Sequence, residues 1–263
     1  MLVRMRIGRF LLWKPFDQTK ENIMKRLLLV GCTAILGLAL AVPAFAHEAG
    51  DWIVRGGIGT VMPTDDNLSL PELTLTIPEV APDPLTINSV VQVDDGTSLT
   101  LSFTYMFTDN WAFDILAAWP FKHDVDLDAS IFDGVSTTSG SVPFGEVEHL
   151  PPTFSVQYHF SPDAQFQPFV GFGLNYTTFL SEDLSSLLVG SDIVDFSLDD
   201  SFGIAVQLGA DWMISDRSLI NFDLRWIDIE ADLDVTLTGG STVGLGGVEI
   251  DPWVFAINYG YKF

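Results

Sequence analysis

From residue 99 onward the chain alternates apolar and polar positions with a period of two. That pattern belongs to strands with one face on an apolar medium and the other on a polar one. Leu99, Leu101, Phe103, Tyr105 and Phe107 interleave with Thr100, Ser102, Thr104, Met106 and Thr108. The same alternation predicts strands over 111–119, 154–160, 170–177, 202–212 and 220–226. It is cleanest at the end, where Trp253, Phe255, Ile257, Tyr259, Tyr261 and Phe263 oppose Val254, Ala256, Asn258, Gly260 and Lys262. A weaker segment over 51–62 brings the count to eight. No run after His47 approaches the roughly 20 apolar residues of a spanning helix.

What the apolar face meets decides between a soluble sandwich and a membrane barrel. The apolar faces from the second segment onward carry no charge and end in Trp111, Trp119, Trp212, Trp226, Trp253 and Phe263, as expected where rings sit at lipid headgroups. The opposite face is rich in Gly, Ser, Thr, Asn and Gln, which suits a narrow lumen better than a second sheet. Connections alternate too. Short turns fall at 109–110, 161–165 and 215–217, and long acidic connections at 63–95, 122–150, 180–200 and about 228–249. The predicted fold is all-β: an eight-stranded antiparallel transmembrane β-barrel with long acidic extracellular loops and short periplasmic turns. In the seventh strand the apolar phase flips after Trp226 to Ile227, Ile229, Ala231 and Leu233. A bulge there, or an extension above the membrane, is expected.

Charge changes the picture at the N-terminus. Of 12 Lys+Arg and 35 Asp+Glu, seven basic residues and two acids precede His47, which leaves 5 basic against 33 acidic residues after it. So acidic a chain is not a nucleic-acid binder. Met24-Lys25-Arg26, the apolar run 27–42 and Ala44-Phe45-Ala46 read as a secretory signal cleaved after Ala46. The expected organisation is an over-called extension at 1–23, a cleaved signal peptide at 24–46 and the barrel at 47–263. A long n-region is the alternative for 1–23. An uncleaved helix and a lipoprotein at Cys32 are rival readings of the head. Cleavage removes the one Cys, and with it disulfide and thiolate chemistry.

Several motifs in order carry a family resemblance: His47-Glu48-Ala49-Gly50, Phe103-Thr104-Tyr105-Met106 with Thr108-Asp109-Asn110, Leu116-Ala117-Ala118 with Pro120-Phe121, His149-Leu150-Pro151-Pro152-Thr153, Asn175-Tyr176-Thr177-Thr178-Phe179 and Asp251-Pro252-Trp253-Val254-Phe255. Across the chain after the signal, the sequence resembles the outer membrane protein W (OmpW) family. The resemblance implies an outer-membrane channel of a Gram-negative bacterium for passive uptake of small hydrophobic molecules. They would enter a narrow pocket open to the outside and leave sideways into the membrane. It also places a pocket-closing aliphatic at Leu116. Arg225 stands where relatives carry an inward aromatic. The alternative is a sealed structural or surface-recognition barrel that serves phage and bacteriocins as a receptor.

Alternation directs Arg225, Lys262, Asp114, Asp211 and Asp223 inward, and Arg55 with them if Trp52, Val54 and Ile58 face lipid. Arg55, Asp114, Asp211, Asp223 and Lys262 are expected to form a salt-bridged plug low in the lumen, with Arg225 at its upper edge beside Asp223. Such a plug either serves structure alone or bars straight passage. Leu116, Met106, Arg225 and Val254 are the candidate pocket and gate residues. Phe263, with Tyr261 and Tyr259, is the expected signal for the barrel-assembly machinery. The other expected partners are outer-membrane lipid, lipopolysaccharide and a small hydrophobic ligand. No catalytic motif of the HExxH or GxSxG type occurs. No enzyme activity, cofactor or metal is expected.

Overall fold

The computed structural model describes residues 47–64, 68–75, 85–186 and 192–263, without the side chains of Leu73 and Leu75. The expected extension 1–23 and signal segment 24–46 lie outside the described residues. Fifteen strands follow one another among the described residues: β1 (Trp52–Met62), β2 (Leu68–Leu75), β3 (Leu85–Val93), β4 (Gly96–Met106), β5 (Trp111–Ala118), β6 (Phe121–Phe132), β7 (Thr137–Leu150), β8 (Thr153–His159), β9 (Phe166–Leu184), β10 (Ile193–Leu198), β11 (Ser201–Met213), β12 (Ser218–Ile227), β13 (Glu230–Leu237), β14 (Thr242–Glu249) and β15 (Trp253–Lys262).

Eight of them close into the predicted barrel. The antiparallel order is β1-β4-β5-β8-β9-β11-β12-β15, and β15 returns to β1 with Ile53 opposite Lys262 and Met62 opposite Trp253. Closure leaves no free edge strand, so the ladders pair strand to strand in a medium that offers no water. The two faces separate as the alternation requires. Along β11, Ala205, Gln207 and Asp211 are buried, whereas Phe202, Ile204, Val206, Leu208 and Trp212 are exposed on the outside. A continuous belt of exposed aromatic and aliphatic side chains is too large for an aqueous surface and fits hydrocarbon.

The short turns are held by local hydroxyls. Between β4 and β5, Thr108 Oγ1 accepts from the amides of Asn110 and Trp111. Between β11 and β12, Ser215 Oγ accepts from those of Arg217 and Ser218. Inside this end of the barrel Ile53, Met106, Ala112, Met213 and Leu219 form a fully buried apolar cluster.

The long connections carry more structure than their acidity suggests, since β2, β3, β6, β7, β10, β13 and β14 all lie within them. The chain divides into two compact units. The smaller includes 69–90 and 127–142, and with them nearly all of β2 and parts of β3, β6 and β7. The larger holds the barrel and a three-stranded sheet ordered β10-β13-β14. The phase flip after Trp226 marks the passage from barrel to that sheet, not a bulge in the barrel: β12 ends at Ile227 and β13 begins at Glu230. Ile229, Ala231, Leu233 and Val235 then turn to a buried side. A register shift does occur, but between β13 and β14 at Leu233/Asp234.

Candidate functional site

The inward face of the barrel is stratified. Just above the apolar cluster lies a buried network of charges. Arg55 on β1 grips Asp211 on β11 bidentately, Nε to Oδ1 at 3.2 Å and Nη2 to Oδ2 at 2.5 Å. Its Nη1 donates to Thr104 Oγ1, which passes a hydrogen bond of 2.6 Å to Asp114 Oδ1. Arg225 on β12 reaches Asp114 Oδ2 at 3.4 Å and lies 3.7 Å from Asp223 Oδ1. Asn221 Nδ2 donates to Asp211 at 2.8 Å, and Gln207 Nε2 donates to Asp223. Four of the five charged residues are no more than 2% exposed. Such groups stay charged in a low-dielectric interior only when paired and hydrogen-bonded.

The network gathers Arg55, Asp114, Asp211, Asp223 and Arg225. Lys262 is a correction. Its Nζ pairs with Asp51 Oδ2 at 3.1 Å, at the rim where β15 ends beside the start of β1. The buried balance is therefore two cations against three carboxylates, not three against three. Met106 is a second correction, because it sits in the apolar cluster beside the β4–β5 turn and does not line the lumenal cavity. An even-numbered position just before a periplasmic turn is inward but too low to meet a solute.

Two histidines that sequence reasoning left aside join the network from below. His47 Nε2 donates to Asp211 Oδ2 at 3.1 Å. His159 stands 5.4 Å away, ring to ring, and stacks on Phe169 at 4.8 Å. Phe169 fits because Gly209 faces it: a Cβ there would come within 2.3 Å of the ring. The imidazoles of His47 and His159 each keep a buried Nδ1 without a partner.

Against the network lies a cavity of about 20 Å³, lined by Arg55, Asp114, Asp223 and Arg225 as well as Leu116, Val254 and Ala256. That is room for about one water molecule. Thr100, Ser102, Val254 and Ala256 are all buried around it. A larger apolar depression of about 390 Å³ lies on the wall, lined by Gly56, Gly57, Leu99, Thr100, Leu101, Ala117, Ala118 and Trp119. Beside it the wall loses hydrogen bonds. The β5–β8 register stops at Leu116 opposite Thr153, while β4–β5 continues to Thr100 opposite Ala118. The residues beyond that stop include Pro120, Pro151 and Pro152, none with an amide hydrogen to give. The carbonyl of Pro152 accepts instead from Tyr176 N and Asn175 Nδ2 on β9.

At the outer opening His123 and His149 face each other, Nε2 to Nε2, at 2.9 Å. His123 Nδ1 donates to Asp94 O, so its Nε2 accepts and His149 donates. Gly96 makes this possible, since a Cβ would stand 2.6 Å from the His123 ring. Burial pushes both histidines below their ordinary range, His149 to about 3 with a further push from His123. Lys122 bridges Glu146 and Glu148 at the surface nearby.

The comparisons with known proteins agree with this architecture. The OmpW family model matches residues 48–263. Outer membrane protein W of Vibrio cholerae is 39% identical over 88% of this chain and 96% of its own length. That of Escherichia coli K12 is 35% identical over 91% and 100%. Among solved structures, the outer membrane protein OprG of Pseudomonas aeruginosa superposes with a TM-score of 0.67 at 34% identity, covering 84% of this chain and 99% of that one.

Proposed function

The chain belongs to the OmpW family of outer-membrane barrels, and from that premise we propose that it is a passive channel for small hydrophobic molecules. Its place in the outer membrane of a Gram-negative bacterium surrounds it with lipid and lipopolysaccharide, and its family is non-enzymatic. A solute enters from the outside and leaves sideways through the wall. The observation that carries this reading is the contrast between floor and wall. The axial route narrows to a one-water cavity walled by the charged network. The wall beside it ends its ladder at Leu116 and Thr153, next to an apolar depression large enough for a small ligand. Leu116 and Val254 form the pocket above the floor, and Arg225 is the gate residue at its polar side.

Planar-bilayer conductance and uptake of an apolar probe separate floor from wall. Arg225→Ala is expected to open ion conductance several-fold, because it removes the cation between Asp114 and Asp223. Unchanged conductance assigns the network to structure alone. Gly56→Leu adds a side chain to the wall depression, at a position where a Cβ meets nothing closer than 3.8 Å. It is expected to slow probe uptake about tenfold and leave conductance alone. Uptake at the wild-type rate overturns the lateral exit.

The second reading, a sealed barrel that acts as a surface receptor, is favoured by the small volume of the lumenal cavity. It predicts no uptake of the probe by the wild-type protein. Two further proposals complete the assignment. Residues 24–46 serve as the cleaved signal, and the outward aromatics Tyr259, Tyr261 and Phe263 present the last strand to the barrel-assembly machinery.

A further inference from the structure

We propose that His47, His159 and Asp211 form a binding site for a divalent transition-metal ion of the zinc class at the periplasmic end of the lumen. One ligand atom from each residue lies within 4.8 Å of the other two, and all three residues are fully buried. Two imidazoles and a carboxylate are a donor set that suits Zn²⁺ and its neighbours.

Distance supports the exchange of a proton for a metal. His47 Nε2 and Asp211 Oδ2 are 3.1 Å apart. Two ligands bound at about 2.0–2.1 Å with near-tetrahedral angles stand roughly 3.1–3.4 Å apart. An ion can therefore take the place of the bridging hydrogen with little movement of either side chain.

The surroundings behave as outer-shell partners do. Gln157 spends its amide on Gln207, so its Oε1 accepts from His159 Nε2, 3.3 Å away. That tautomer leaves His159 Nδ1 with a lone pair, buried and without a partner. A hydrogen bond on the far nitrogen is the usual way a ligating imidazole is oriented. Asp211 is fixed likewise, by Asn221 and by the fork of Arg55. Arg55 opposes a cation, but the buried network still holds one more carboxylate than guanidinium. The three ligands come from the segment before β1, from the end of β8 and from β11, so an ion there would tie together parts of the chain that only the closed barrel assembles. A water can complete the coordination.

The test is titration of the folded protein, purified in mild detergent and stripped with chelator, with Co²⁺ as an optical probe. The expected result is one equivalent of saturable binding with visible bands of a four-coordinate site, displacement by Zn²⁺, and a higher thermal unfolding midpoint with Zn²⁺. His47→Gln and His159→Gln are each expected to weaken binding at least tenfold, whereas the paired change His123→Gln with His149→Gln leaves it intact. Absence of saturable binding by the folded wild-type protein overturns the proposal, as does equal affinity in the His47→Gln and His159→Gln variants. If His159→Gln does not fold, His47→Gln decides, because His47 lies outside every strand. Loss of binding only in the His123/His149 variant also overturns the assignment.

Discussion

The lower and upper halves of the lumen are built from the same strands, yet they differ in kind. Below, long polar or charged groups reach across the barrel: Arg55 to Asp211, Arg225 to Asp114, Gln157 to Gln207. Beside them the same faces carry the short side chains Thr100, Ser102, Val254 and Ala256, of which Thr100 reaches past β1 to Asn258. An eight-stranded barrel is just wide enough to be filled by side chains. Length of side chain alone thus decides where it is blocked. The difference teaches that the floor is specific and the upper lumen permissive.

The largest expected effect breaks the floor. Asp211→Ala leaves Arg55 buried without its bidentate partner, and loss of one member of a buried pair costs about 3–5 kcal/mol. Urea unfolding in detergent micelles measures it. A cost under about 1 kcal/mol would mean that water already reaches Arg55 and that floor and upper lumen do not differ.

Next comes acid. His123 and His149 are neutral in the folded state because burial lowers them. A histidine lowered on folding contributes stability that is present above its unfolded value near 6.5 and is lost as pH falls toward the folded one. For His149 the window runs from 6.5 down to about 3. The outer opening is expected to loosen across it, read as faster amide exchange in β6 and β7, while the barrel strands hold. His149→Gln should flatten the dependence. Equal loosening of β1 and β11 would place the acid-sensitive element in the floor instead.

The smallest effect belongs to the rim. Lys262→Ala removes a partly exposed pair with Asp51 and should cost no more than about 1 kcal/mol. A loss as large as that of Asp211→Ala would return Lys262 to the buried network.

Much of this was legible in the alternation. Phe103, Phe172 and Phe255 are outward, and Asp114, Asp211 and Arg225 inward, because period two fixes the face once one face meets lipid. Pairings across the lumen were not legible, since Arg55 and Asp211 are 156 residues apart and meet only through closure. The rim pair was readable in principle: Lys262 lies opposite Ile53, which places it beside Asp51. The outer strands were hidden by their acidity. Asp124, Asp126 and Asp128 look like a solvated cluster, but they alternate with His123, Val125 and Leu127 as one face of β6. The two histidine contacts gave no local signal, because each joins residues from separate strands or segments.

The span of the Arg55–Asp211 pair bears on how the molecule is made. In an open ribbon of the eight strands, β1 and β11 are five strands apart, about 24 Å at ordinary strand spacing. A guanidinium cannot bridge that gap. Until β1 zips to β15, the nascent ribbon keeps Arg55 from Asp211 and Arg225 from Asp114, a state that hydrocarbon strongly disfavours. Joining the first and last strands brings Arg55 to Asp211 and Arg225 to Asp114 at once. Half-closed forms leave these charges without their partners, and the finished cylinder does not.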